Sequence, residues 1–246
     1  MRHSIAILVA GLCFASCGDD DGDAGTLTIH LDHQVAGQEL NVDPVATYTN
    51  AAGNVYSVSL LEYIISDVDL VNTSGATHRL RDEHYRNAAI AATGSFTSLD
   101  VPAGEYHALR FTFGVSAERN ITGSLPNTTD FANMEWPTQM GGGYHYMRLE
   151  GLFDNGGSSQ AFLSHTGPSG GGDFSFVVEL PLSMHVDGGD SEVHVVMDLN
   201  EWFEDPHVYD FAAQGMIMGN ADAQLTHQDN GQTVFHIGSA GAAHDE

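Results

Sequence analysis

The chain has 246 residues, with 33 acidic side chains against 7 arginines and no lysine, for a formal net charge of −26. A surface this acidic repels nucleic acid and anionic lipid headgroups; it suits cations or a basic partner, or simply keeps the protein soluble in salty or acidic surroundings. Both cysteines, Cys13 and Cys17, lie near the amino terminus, which excludes a disulfide framework and a thiolate metal site from the rest of the chain.

Residues 1–16 read as a lipoprotein signal peptide. Arg2 and His3 give a positive start, Ile5 to Phe14 is apolar, and small residues precede Cys17. The apolar run is too short to span a membrane, which takes about 20 residues. "FASC" (14–17) fits the lipobox of bacterial lipoproteins, so Cys17 is expected to carry lipid. The alternative is plain cleavage nearby, with Cys17 incidental. Residues 17–25, containing "GDDDGDAG", read as an acidic flexible tether. "DDDGD" looks like half a calcium loop but lacks the distal bidentate glutamate. Lipidation places the protein in the bacterial cell envelope, anchored to a membrane, with the outer membrane favoured.

Strand patterns fill residues 26–240. "TLTIHLDHQV" alternates, with Leu27, Ile29, Leu31, His33 and Val35 on one face. "VATYTNAAGNVYSVSLLEYIISDVDLV" reads as strand, turn at Ala52-Gly53-Asn54, and strand. "GEYHALRFTFGV" alternates, Tyr106, Ala108 and Arg110 against His107, Leu109 and Phe111. "GYHYMRLEGLF", "SQAFLSHTG", "DFSFVVELPLSM" and "SEVHVVMDL" complete the set. Helix is expected only at 199–205, where Trp202 serves as an apolar anchor, and within 212–228. Many short strands punctuated by glycine and proline predict an all-β, antiparallel, immunoglobulin-like β-sandwich with long loops and one or two short helices. Residues 241–246 read as a disordered tail. The segment from Ser116 to Gly143 is long for a loop in a compact domain, a length that favours function or disorder.

No G-x-S-x-G elbow, H-E-x-x-H helix or phosphate-cradling loop occurs, and no acid–base set stands out, so the chain reads as a non-enzyme. "DEHYR" (82–86) reads as a solvated face. The 14 histidines and the methionines suit copper, which takes imidazole and thioether ligands. His33, His165 and Met134 are the candidates, with His145 and His236 next. A single histidine in an apolar phase, such as His33, is more commonly a core residue hydrogen-bonded in place.

Several motifs recur together in one order. "IHLDHQVAGQEL" carries His-x-Val-x-Gly, and "YTNAAGNVYSVSLLEYIISDVDL" carries Tyr-x-Asn-x-x-Gly-x-x-Tyr-Ser-Val. "PAGEYHALRFTFGVSAERN", "MEW", "GYHYMRLEG" and "SHTG" follow. From about Leu27 to Gly238 the chain resembles the MbnP-like family of copper-binding proteins. The resemblance implies copper, as Cu(I) or Cu(II), held mainly by histidines, here His33 and His165. It implies a di-haem cytochrome c peroxidase-like partner that oxidises a tryptophan near the site to kynurenine. Trp136 matches that tryptophan and Met134 its neighbour; Tyr144 and Glu150 match supporting positions. The chain departs from the family in having Pro137, Thr138 and Gln139 where a second tryptophan often follows. Pro137 restricts the residue before it to extended geometry, which leads us to expect an exposed indole held out from the strand beside His33 and His165. Three functions stay open: a lipid-anchored extracytoplasmic copper-binding protein for uptake, storage or delivery; a lipoprotein sandwich that binds a non-metal ligand or protein; and, least favoured because no nucleophile or acid–base set stands out, an enzyme.

Overall fold

A computed structural model describes residues 22–214 and 217–242. The signal peptide, Cys17, most of the tether and the last four residues lie outside the described residues. The fold is an all-β sandwich of two sheets. One is built on β1 (Gly25–Val35), which pairs parallel with β11 (Asp190–Asp198) and antiparallel with the short β2 (Gln38–Glu39) and with β6 (Ser95–Val101); β12 (Phe235–Ala242) pairs with β11. The other sheet runs in the order β10 (Phe176–Val186), β7 (Gly104–Phe113), β4 (Val55–Asn72), β8 (Met147–Asn155), β9 (Ser158–Thr166), with β3 (Tyr48–Thr49) and β5 (Thr77–Asn87) also pairing with β4.

Leu27, Ile29, Leu31 and Val35 meet Leu61, Tyr63, Leu109, Phe111 and Leu149 between the sheets, as the alternation of β1 and β7 predicts. His33 shares that inward phase. The alternation breaks once in β7: Val71 pairs with Ala108 and Asn72 with Tyr106, so His107 is an extra residue. This bulge switches the phase, turning Tyr106 into the core and His107 out to solvent.

β4 is 18 residues long and buried on both faces through its middle. Its outer face is covered by the long segment after β7, which carries α1 (Thr129–Asn133) and a 3₁₀ turn at Thr138–Met140. Under that cover Ile64, Tyr85, Val115, Leu125, Phe131, Met134 and Tyr144 form a second apolar cluster. The long loop is thus a packed layer. It also corrects the reading of "DEHYR", which lies in β5 with His84, Tyr85 and Arg86 all buried. The helical expectations hold as a 3₁₀ turn at Leu199–Phe203, with Trp202 fully buried, and as α2 (Phe211–Gln214) and α3 (Ala221–Asn230). Among the described residues, no helix is long and apolar enough to cross a membrane.

Candidate metal centre

The segment from Met134 to His145 is a small hairpin. The Trp136 N–H donates to the Gly143 carbonyl (2.8 Å), and the His145 N–H donates to the Met134 carbonyl (2.7 Å). Gly141, Gly142 and Gly143 turn it, all at positive φ (114°, 74° and 91°), where residues with a Cβ are strained. Asn120 and Thr122 dock the hairpin, accepting from the Tyr144 and Gly143 N–H groups. The Tyr144 hydroxyl accepts from the N–H groups of Gly123 and Leu125 (3.0 and 3.2 Å). Tyr144 therefore fastens the loop and does not reach a metal itself.

The indole of Trp136 is folded in, only 1% exposed, which corrects the expectation of an exposed ring. The strand end at Gly167 explains why. A Cβ on Gly167 would stand 2.5 Å from Trp136 Cε3, so the ring lies flat on bare backbone. Trp136 Nε1 is buried with no hydrogen-bond partner. Gly167→Ala is expected to push the ring out and destabilise the fold by about 1–3 kcal/mol. A red shift of tryptophan emission would check this, since Trp202 provides an unchanged buried reference.

From Trp136 a line of rings leads into the sheet. Trp136 and His145 lie 4.6 Å apart between ring centres, and His145 and His165 lie 5.4 Å apart at 81°. His145 Nδ1 is tied to the Met134 carbonyl at 3.1 Å. A carbonyl only accepts, so Nδ1 carries the proton and Nε2 keeps its lone pair. His165 Nε2 donates to Glu150 Oε1 at 2.8 Å, which leaves Nδ1 as its lone-pair nitrogen. Burial pulls the His145 pKa down to about 4, only partly opposed by its carbonyl bond. Burial also lowers that of His165, against the pull of Glu150. Both rings are neutral at pH 7, the form that binds metal.

Glu150 is held in turn. Arg148 Nη2 donates to its Oε1 (3.3 Å), and Arg148 Nη1 donates to Glu62 Oε1 (2.6 Å). Glu62, a buried carboxylate, also accepts from the Tyr85 hydroxyl and from Asn87. From α3, Gln224 clamps the strand end, donating to the His165 carbonyl and accepting from the Gly167 N–H. His165 is thus backed by a carboxylate, the arrangement that fixes tautomer and ring direction in metal-binding histidines.

The structure does not bring His33 to this group. His165, Arg148 and Glu62 are register partners on one face of β9, β8 and β4. Tyr63, next to Glu62, points to the opposite face, and it is Tyr63 that His33 meets, Nε2 to hydroxyl at 3.1 Å. The other His33 nitrogen accepts from Arg86 Nη2 at 3.4 Å. Burial first, then the Arg86 charge, lower its pKa to about 3. Both its nitrogens are engaged, as in a core histidine. The Met134 side chain packs in the second apolar cluster, and its carbonyl is what touches the site.

The donors present fit copper. Two imidazoles bound at about 2.0 Å to one tetrahedral ion stand with ring centres roughly 5 Å apart, close to the separation of His145 and His165. A further group, His30, Glu192 and His194, lies elsewhere, on the first sheet.

A family model described as MbnP matches residues 24–219. No curated protein matches the chain. The solved structure of MbnP from Methylosinus trichosporium superposes with a TM-score of 0.59 at 15% identity, over 89% of this chain and 99% of that one. At that identity the likeness concerns the fold. The family match spans β1, the 134–145 hairpin and β9 together, and the chain belongs to the MbnP family.

Proposed function

We propose that this is a lipid-anchored extracytoplasmic protein that binds copper between His145 and His165 for uptake, storage or delivery. The observation that carries the reading is the pair of neutral imidazoles with their lone-pair nitrogens free, one oriented by a carbonyl and the other by Glu150. Family membership, with its link to copper, supports the choice of metal. Neutral nitrogen donors suit Cu(I), which accepts low coordination numbers and soft or borderline ligands. In this reading His33 supports the core. Metal analysis of the mature protein supplied with copper should return about one tightly held copper per chain; protein that takes up none would leave a non-metal binding sandwich instead.

Trp136 is the residue a di-haem peroxidase-like partner would oxidise. Two equivalents of peroxide, each reduced to water at the partner's haems, draw four electrons from the indole in all; water supplies the two oxygens that open the indole double bond to N-formylkynurenine, and hydrolysis then releases the bridging carbon as formate, leaving kynurenine. The peptide changes by about +4 Da, one oxygen gained and one carbon lost. Because the indole is enclosed, haem does not touch it, and electrons leave it at a distance through the packed protein. Coexpression with such a partner, followed by mass analysis of the Trp136 peptide, tests this.

The anchor is a separate expectation. Cys17→Ala should release the protein from membranes, since a polar, acidic domain has no other hold on lipid. Unchanged detergent partitioning of that variant would contradict it.

A further inference from the structure

On the first sheet, β1 and β11 run parallel and in register, with His30 opposite His194. Residues two apart in a strand share a face. Asp32 therefore joins His30, and Glu192 joins His194, on the side turned away from Ile29, Leu31, Val193 and Val195, which are buried. The two imidazoles stack, their centres 4.3 Å apart and their planes within 5°. One ligand atom from each of His30, Glu192 and His194 lies within 4.8 Å of the others. Glu192 Oε2 is 3.9 Å from His30 Nε2. Asp32 Oδ2 accepts from His194 Nδ1 at 2.7 Å, which leaves His194 Nε2 as the lone-pair nitrogen. All four side chains remain open to water, between 25% and 49% exposed.

In a chain this acidic, a carboxylate beside a histidine is unremarked. Two histidines face to face across a parallel pair, each strand adding an acid on the same face, is a more particular arrangement. We propose that His30, Glu192 and His194 form a second metal site, for a divalent first-row cation such as Zn(II) or Cu(II), with Asp32 orienting His194. A mixed nitrogen and carboxylate set suits these borderline ions better than Cu(I), which prefers soft donors. Three protein ligands leave a coordination position for water, and exposure makes the ion exchangeable. Bound at about 2.0–2.2 Å, the ion would draw the donor atoms to roughly 3–4 Å from one another. Because the stacked ring planes do not meet, binding turns the His30 ring out of the stack until its lone pair faces the ion, a side-chain rotation that its exposure to water allows on a backbone held by the strand ladder.

The site lies on a different sheet from β9, which carries His165, so the two sites can be tested apart. Zn(II) is titrated calorimetrically into the mature protein carrying His145→Ala and His165→Ala. The proposal expects one Zn(II) site to survive there, to weaken about 10- to 100-fold with Asp32→Asn, and to be lost with His30→Asn and His194→Asn. Zinc binding that is unchanged in the His30→Asn, His194→Asn protein overturns it. Because substitutions can perturb folding, ring-proton NMR of the unsubstituted protein gives an independent readout. The His30 and His194 signals should shift on adding Zn(II); if they stay fixed at saturating zinc, the site is not there.

Discussion

Alanine at both His145 and His165 should abolish high-affinity Cu(I) binding while leaving the β-sheet spectrum intact. Either change alone removes half of a two-nitrogen site and should weaken binding more than about 100-fold, beyond the effect expected for a residue that only orients a ligand. Glu150→Gln is such a residue. It keeps the shape but loses the charge behind His165, and should cost about 10- to 100-fold. His33→Ala separates this assignment from one built on the opening strand. It leaves the Tyr63 hydroxyl without its buried partner and removes the acceptor of Arg86 Nη2, and should destabilise the fold by roughly 1–3 kcal/mol, with copper affinity unchanged. Competition against a Cu(I) chelator, with thermal melts of the same proteins, checks all five variants. Weak binding in His33→Ala together with tight binding in His145→Ala would reverse the assignment.

The second large effect is acid unfolding of the copper-free protein. His33, His84 and His227 are all buried, and burial is the first cause lowering their pKa values, to about 3, about 4 and about 4. Each folded value lies below the ordinary value of 6.5. At pH 7 and above, folded and unfolded chains both hold these rings mostly neutral, and stability is full. As pH falls from about 6.5 toward 4, the unfolded chain takes up protons that the folded chain refuses, and stability falls. Each ring contributes a slope approaching 1.4 kcal/mol per pH unit, roughly 4 kcal/mol per pH unit for the three. Relief of repulsion among the 33 acidic groups acts the other way, but only as pH nears the carboxylate range around 4. The thermal midpoint should therefore drop steeply between pH 6.5 and 4, and His227→Gln should flatten the slope by about one proton. A midpoint that is level across that window would show that these rings are not held neutral.

Much of the sandwich was legible because alternation is local. β1, β7, β10 and β11 all follow from apolar residues at every second position. β5 was missed because it is buried by distant segments on both faces: Tyr85 lies under the 116–146 layer, while His84 and Arg86 turn the other way and bond the Thr93 and Leu31 carbonyls. The site was legible in part. His165, Glu150 and Trp136 are motif residues, and the structure places them in one line of contacts. His145 was only a reserve candidate. Reading Pro137 to Gly143 as a hairpin turn would have set His145 opposite Met134 and beside Trp136. His33 looked like a ligand because sequence cannot tell the two faces of a sheet apart once strands from different sheets are involved. The His30–His194 pair was invisible for a related reason: β1 and β11 are joined only by their ladder, at opposite ends of the chain. The exposed indole was expected from Pro137, whose restraint on Trp136 says nothing of which way the side chain turns; Gly167 decides that.

The most direct test is the structure of the mature protein loaded with one equivalent of Cu(I), with copper located by anomalous scattering. The assignment predicts a single strong peak between His145 and His165, about 2.0–2.1 Å from His145 Nε2 and from His165 Nδ1, with Glu150 still bonded to the far side of His165. Copper found against His33, or only at His30 and His194, with no peak between His145 and His165, would contradict it.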